Sequence, residues 1–127
     1  MSILEGNLEA GKGLPRTFQR ACLLIGLSGG ASHGYELLDR VRRMGLRSAE
    51  AGGLYRCLRA MEADRMVTSW WEPSQSGPPR RTYALTDIGN AALASAVDEL
   101  NEVRLLLDGV LAGVVTAFAS SSAAASR

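Results

Sequence analysis

Arginines are the side chains in this 127-residue chain most able to do chemistry. Between Arg40 and Arg81 nine of them stand against four carboxylates, Glu50, Glu62, Asp64 and Glu72, so the middle of the chain is basic. From Thr86 to Ala119 one arginine faces five acids, and the sign reverses. The net charge of +1 hides this division. A guanidinium is permanently charged and presents a planar fork of donors, the chemistry that grips phosphate oxygens and the edges of bases. A basic middle and an acidic end therefore fit one face for a polyanion and another for something else.

Other chemistry has little to work with. His33 is the only histidine. It has no nucleophile or base near it in sequence, and it reads as a local hydrogen-bonding residue at a helix start. Gly6-Asn7-Leu8-Glu9-Ala10-Gly11-Lys12 matches the first part of a phosphate-binding loop. Gly13 follows where a magnesium-binding Ser or Thr is required, no strand precedes, and Leu14-Pro15 stands where the helix should begin. Cys22 and Cys57 lack metal-ligand spacing and fit buried thiols in a reduced compartment. The start of the chain is polar and glycine-rich, unlike a secretory leader. The longest apolar run near the C-terminus, Leu105 to Ala119, falls short of the ~20 residues of a membrane span. The expectation is a cytoplasmic protein with no catalytic residues, no metal, no cofactor and no membrane partner.

The elements that must position the arginines follow from periodicity. Residues 1–14 read as a flexible arm. Pro15 suits a first helical position, and Phe18, Cys22, Leu23 and Ile25 recur at helical spacing up to Leu27, where Ser28-Gly29-Gly30 stops the helix. Ser32 is taken as the N-cap of a second helix, with Leu37, Leu38, Val41 and Met44 as its apolar stripe and Gly45 as its end. A third helix is placed after Ser48, read as another N-cap. Leu54, Leu58 and Met61 share one face of it; Gly52, Arg56 and Arg59 share the opposite one, with Tyr55 on the flank. Glycines near a helix start allow close approach of backbone to phosphate. Alone, such a helix could equally be an ordinary amphipathic one with a solvated arginine face.

The hairpin that follows decides between these. Met66 to Glu72 and Arg80 to Leu85 read as strands joined by the turn-rich Ser74-Gln75-Ser76-Gly77-Pro78-Pro79. Val67, Ser69 and Trp71 fall on one side of the first strand, and Trp71 is expected inside with Trp70 outside. Arg80 and Arg81 make the hairpin base basic. A helix with an arginine face followed by a basic hairpin is the layout of a winged helix-turn-helix, here over residues 15–85. The expected DNA-binding residues are Ser48, Gly52, Gly53, Tyr55, Arg56, Arg59, Arg80 and Arg81.

A last helix, residues 86–119, carries Ala96, Leu100, Val103, Leu107, Val110, Val114 and Ala117 in steps of four and three, widened by Leu111 and Phe118. The preceding domain is already closed, so this stripe needs another surface, most simply a second copy of itself. The expected dimer interface is Leu23, Leu100, Val103, Leu107, Val110, Leu111, Val114 and Phe118. Residues 120–127 read as a disordered tail. The fold class is mainly α with a small β-hairpin wing, plus a long C-terminal dimerisation helix.

These residues resemble the PadR family of transcriptional regulators. The pieces are Ser32-His33-Gly34-Tyr35-Glu36-Leu37; Gly53-Leu54-Tyr55-Arg56 with Leu58; Met61-Glu62; Val67 with Ser69 and Trp71-Glu72; Gly77-Pro78 with Arg80-Arg81; and Tyr83-Ala84-Leu85-Thr86 with Gly89. Their order and spacing agree from Pro15 to about Leu93. The resemblance implies a homodimer built through the last and first helices that binds double-stranded promoter DNA. It also implies repression, and release by a small aromatic or drug-like effector. Two departures stand out. Many members have Thr or Ser where this chain has Gly53, and the last helix here lacks a tryptophan, leaving Trp70 and Phe118 as the aromatic candidates for a ligand. The reading from another class is a winged-helix protein-interaction module that does not bind DNA.

Overall fold

The computed structural model describes residues 16–125, and side chains within 18–120. The N-terminal arm, Pro15 and the phosphate-loop lookalike lie outside the described residues. The elements run α1 (Arg16–Leu27), β1 (Ser32–His33), α2 (Gly34–Met44), α3 (Ala51–Ala63), β2 (Val67–Glu72), β3 (Arg80–Leu85) and α4 (Asp87–Ala125). The three strands form one antiparallel sheet in the order β1-β3-β2. Two compact units divide within α4, one ending at Ala94 and the other beginning at Ser95.

The first unit is a helix-turn-helix with a wing. Its core takes Cys22 and Leu23 from the expected stripe of α1, with Leu24 and Leu27 in place of Phe18 and Ile25, which are only half-buried. It adds Leu37, Leu38 and Val41 of α2, and Leu54, Leu58 and Met61 of α3. Val67 and Tyr83 close it from the sheet, and Leu37, Leu58 and Met61 have no exposed surface at all. Met44, assigned to the α2 stripe, is 45% exposed because it sits in the last turn, just before Gly45 ends the helix.

Two helix starts differ from the sequence expectation. The N-cap of α2 is His33, whose Nδ1 accepts from the Glu36 amide, and not Ser32, which is buried in β1 and pairs with Tyr83. The third helix begins at Ala51 with Glu50 as N-cap, and not at Ser48. Residues 46–49 form a turn, with the Ala49 amide donating to the Leu46 carbonyl at 3.0 Å, and Arg42 Nε donates to the Ala49 carbonyl at 2.9 Å. That fastening holds Ser48 in the turn.

Two glycines permit close approach. A Cβ on Gly34 would collide with the Tyr55 ring, so α2 and α3 meet where one residue has no side chain. A Cβ on Gly89 would collide with the Met66 carbonyl, and this is where the start of α4 seats against the entry to β2. Thr86 secures the same junction: its Oγ1 accepts from the Gly89 amide at 3.0 Å and donates to the Arg65 carbonyl.

The second unit is helical throughout its described residues. At 39 residues α4 is about 58 Å long at 1.5 Å per residue. It runs past Ala119 to Ala125, into the stretch expected as a disordered tail, because Ser120-Ser121-Ser122-Ala123-Ala124-Ala125 ends in the strongest helix former. Val103, Leu106, Leu107, Val110, Leu111 and Phe118 are each at least half exposed. The helix is also long and apolar enough to cross a membrane by length and composition. The sequence reading counted only Leu105 to Ala119, whereas the apolar helix that qualifies is Asp87–Ser120.

Candidate nucleic-acid interface

Helical periodicity gives α3 three working sides. Leu54, Leu58 and Met61 face the core. Tyr55, Arg59 and Glu62, spaced four and three apart, line a groove toward the wing. Gly52 and Arg56 lie on the exposed side. The groove has a volume of about 770 Å³ and is also lined by Tyr35, Trp71, Arg80 and Arg81. It combines cations with aromatic rings, a lining suited to a sugar-phosphate backbone.

Of the eight residues expected to touch DNA, the structure brings four together in this groove: Tyr55, Arg59, Arg80 and Arg81. Ser48, Gly53 and Arg56 line a separate hollow of about 200 Å³ at the start of α3. Gly52 is exposed beside them, and the Arg56 guanidinium lies over the first turn of the helix. Cβ atoms on Gly52 and Gly53 would meet its nitrogens at 3.5 and 3.7 Å. The N-cap makes no side-chain hydrogen bond, so the amides of this turn have no capping oxygen.

The arginines divide by what already holds them. Arg20 pairs with Asp64 at 2.7 Å, Arg43 with Asp39 at 2.7 Å, and Arg40 with Glu36 at 2.7 Å and the Gly26 carbonyl at 2.8 Å. Arg42 is bound to Ala49. Arg56, Arg59 and Arg80 have no carboxylate within 4 Å among the described residues. Arg80 Nη1 lies 3.3 Å from His33 Nε2. The guanidinium donors of Arg80 not turned to this ring stay available.

Tyr55 is less free than the sequence implied, being half-buried over Gly34. Burial, and then the neighbouring Tyr35, push its phenol above the ordinary value. Tyr83 is raised mainly by burial, then by Tyr55; Arg81 opposes this, Glu62 adds to it and Arg59 opposes it. Burial alone raises the Cys22 thiol. Cys57 is half-buried, not fully buried as expected.

Trp71 is 64% exposed and Trp70 38%, so neither is inside. Trp71 does share a face with Val67 and Ser69, as alternation required. It lies at the end of β2 away from the core, and its ring carries the Arg81 guanidinium 5.2 Å from the centroid. Trp70 points to the other side, with its indole N–H donating to Glu72 at 2.9 Å. Phe118 is 72% exposed on α4. Leu23, expected at the dimer interface, is 3% exposed within the first unit and belongs to its core. Sequence reasoning missed Tyr35 and Glu62 as groove residues. The seven-residue step from Tyr55 to Glu62 was the available signal.

A helix-turn-helix with a three-stranded wing and an arginine-bearing second helix defines a winged-helix regulator. The sequence pattern of the Transcriptional regulator PadR-like family matches residues 23–95. That is more than half of the chain, and the chain belongs to this family, whose members are transcription regulators and not enzymes. No curated protein matched. A PadR-like regulator from Bacillus cereus is similar in structure at 25% identity and a TM-score of 0.67, covering 73% of this chain and 90% of that one. A PadR family regulator from Clostridium difficile is similar at 26% identity and 0.63, covering 72% and 97%. Bacillus subtilis PadR, solved with operator DNA, shares the fold at 20% identity and 0.58, covering 63% of this chain and 46% of that one.

Proposed function

We propose that the protein is a homodimeric repressor that binds operator DNA in a promoter through α3 and the wing, and that a small aromatic or drug-like effector releases it. The observation that carries the DNA reading is the placement of cations without carboxylate partners among the described residues. Arg59 and Arg80 line the groove between α3 and the wing, and Arg56 lies over the open first turn of α3. The Bacillus subtilis relative with operator DNA supports the same use of the fold. A regulator of this kind works in the cytoplasm.

The dimer reading rests on α4. At 100° per residue, Val103, Leu106, Leu107, Val110, Leu111, Val114, Val115 and Phe118 cover about half the circumference. A two-helix seam uses a narrower stripe, so a band this wide fits burial against a second α4 and a further element. Leu105 and the smaller Gly109, Ala112, Gly113 and Thr116 occupy the other side. Asp98, Glu99, Glu102, Arg104 and Asp108 all lie within Asp87–Ser120, and this charge favours helix packing over a membrane span. The effector rests on the family alone, with Trp70 and Phe118 as the exposed aromatic candidates.

Sedimentation without detergent should give a particle of about twice 13.5 kDa. A chain that floats with lipid vesicles instead would overturn the dimer reading. Arg56→Ala and Arg59→Ala should each weaken DNA binding and lower its salt slope by about 1, with the dimer intact. If both leave affinity unchanged, α3 is not the reading element, and a protein-interaction module becomes the better account.

A further inference from the structure

The wing is fastened to α3 through one carboxylate. Glu62, in the last turn of α3, accepts a hydrogen bond from the Ser69 hydroxyl of β2, and its Oε1 lies 3.9 Å from Arg81 Nη2 of β3. Arg81 in turn lies over the Trp71 ring, and these two residues are direct partners across β2 and β3. One acid thus reaches both strands, and the cation it meets is stacked on the opposite strand. The side chains of Glu62 and Arg81 are 38% and 34% exposed, so water still reaches the pair and the ion pair alone holds little. The shared geometry of hydroxyl, carboxylate, guanidinium and indole is what fixes the spacing.

The sign of the charge is informative. Glu62 lines the same groove as Arg59 and Arg80. A carboxylate in a groove that takes phosphate repels the ligand, and a residue with no other task there would lower affinity. We propose that Glu62 is a positioning residue for DNA recognition: it holds the wing at a fixed distance from α3 through Ser69 and Arg81, and so places Arg80 and the wing tip. Arg81 then belongs to this latch and not to the set that grips phosphate. The proposal rests on the DNA-binding reading above.

The test uses the full-length protein with Glu62→Ala and Glu62→Gln, and Arg56→Ala as a reference. Alanine favours helix at this partly exposed site, so the fold should survive. Two readouts separate the latch from the DNA reading. The first is amide exchange of the free protein. Glu62→Ala should speed exchange at 70–72 and 80–82 by about tenfold, with the amides of α1 and α2 unchanged. Glu62→Gln, which keeps an acceptor for Ser69, should restore much of the protection.

The second readout is anisotropy with a duplex from upstream of the gene and a scrambled control. Glu62→Ala should weaken binding to the native duplex by about tenfold and leave binding to the scrambled one equal or tighter, with Glu62→Gln recovering most of the loss. Tighter binding of Glu62→Ala to both duplexes, with unchanged exchange, would overturn the proposal and leave Glu62 a repelling charge only. Wild-type protein and Arg56→Ala that both fail to distinguish the duplexes would overturn the DNA reading, and the positioning role with it. The exchange data would still decide whether the latch exists.

Discussion

Gly34→Ala isolates the contact that sets α2 against α3. A Cβ at Gly34 falls 2.6 Å from Tyr55 Cζ and 2.7 Å from Cε1, whereas carbon atoms rest at about 3.5–4.0 Å. Something must therefore move by about 1 Å to restore that spacing. Gly34 is buried and follows β1 directly, so the half-exposed ring is the part that can give. Overpacking of this size costs about 1–3 kcal/mol. Gly34 does not have a positive φ, so alanine brings no backbone strain of its own and gains up to about 1 kcal/mol in helix propensity. The whole loss should therefore come from Tyr55.

A double-mutant cycle reads this directly. Gly34→Ala, Tyr55→Ala and the pair are unfolded in urea at one protomer concentration, because a dimer's stability depends on concentration. Gly34→Ala should cost about 2 kcal/mol with Tyr55 present and be neutral, or stabilising by up to about 1 kcal/mol, with Tyr55 removed, a coupling of about 2–3 kcal/mol. Additivity within about 0.5 kcal/mol would refute the contact. The same substitution should weaken DNA binding, because it displaces the Tyr55 ring that lines the groove.

Three further outcomes are expected. Gly89→Ala should destabilise the protein by about 1–3 kcal/mol, because its Cβ meets the Met66 carbonyl, a backbone atom that cannot swing aside; thermal melts would show it, and an unchanged melt would deny the junction. Cys22, Tyr55 and Tyr83 all have raised pKa values in the fold, so their contribution is complete below the ordinary values of 9.0 and 10.0 and is lost as pH rises past them. Urea midpoints should therefore fall from about pH 9 upward, and Tyr83→Phe should flatten part of the fall. Finally, Leu107→Asp with Leu111→Asp should turn the dimer into a monomer in sedimentation without unfolding the first unit, which does not use these residues.

What the sequence made legible follows from the range of the forces involved. The extents of α1 and α2, both wing strands and the core stripe of α3 are local, periodic patterns, and they were readable, whereas the α1 stripe missed Leu24 and Leu27 and the α2 stripe took in the exposed Met44. The two-residue β1 was not, because it exists only through pairing with Tyr83 and Thr82, some fifty residues on. Ser48 looked like an N-cap because its chemistry suits one. Arg42, reaching across to the Ala49 carbonyl, holds that stretch in a turn and moves the helix start to Ala51. Trp71 was assigned to the right face of β2 and the wrong depth, since alternation gives a side but not how far the core extends beneath it. The arginines of the site were visible in number. Which of them are already paired, and which remain available, depended on Asp39, Glu36 and Asp64 and so on the folded geometry.

The measurement that tests the central claim most directly is anisotropy of the wild-type protein with DNA from upstream of its gene against scrambled DNA, across a salt series. Tight binding to the native duplex alone, falling steeply as salt rises, is the predicted result, since several arginines displace counterions from phosphate. Weak binding to both duplexes, equal in strength and insensitive to salt, would contradict it.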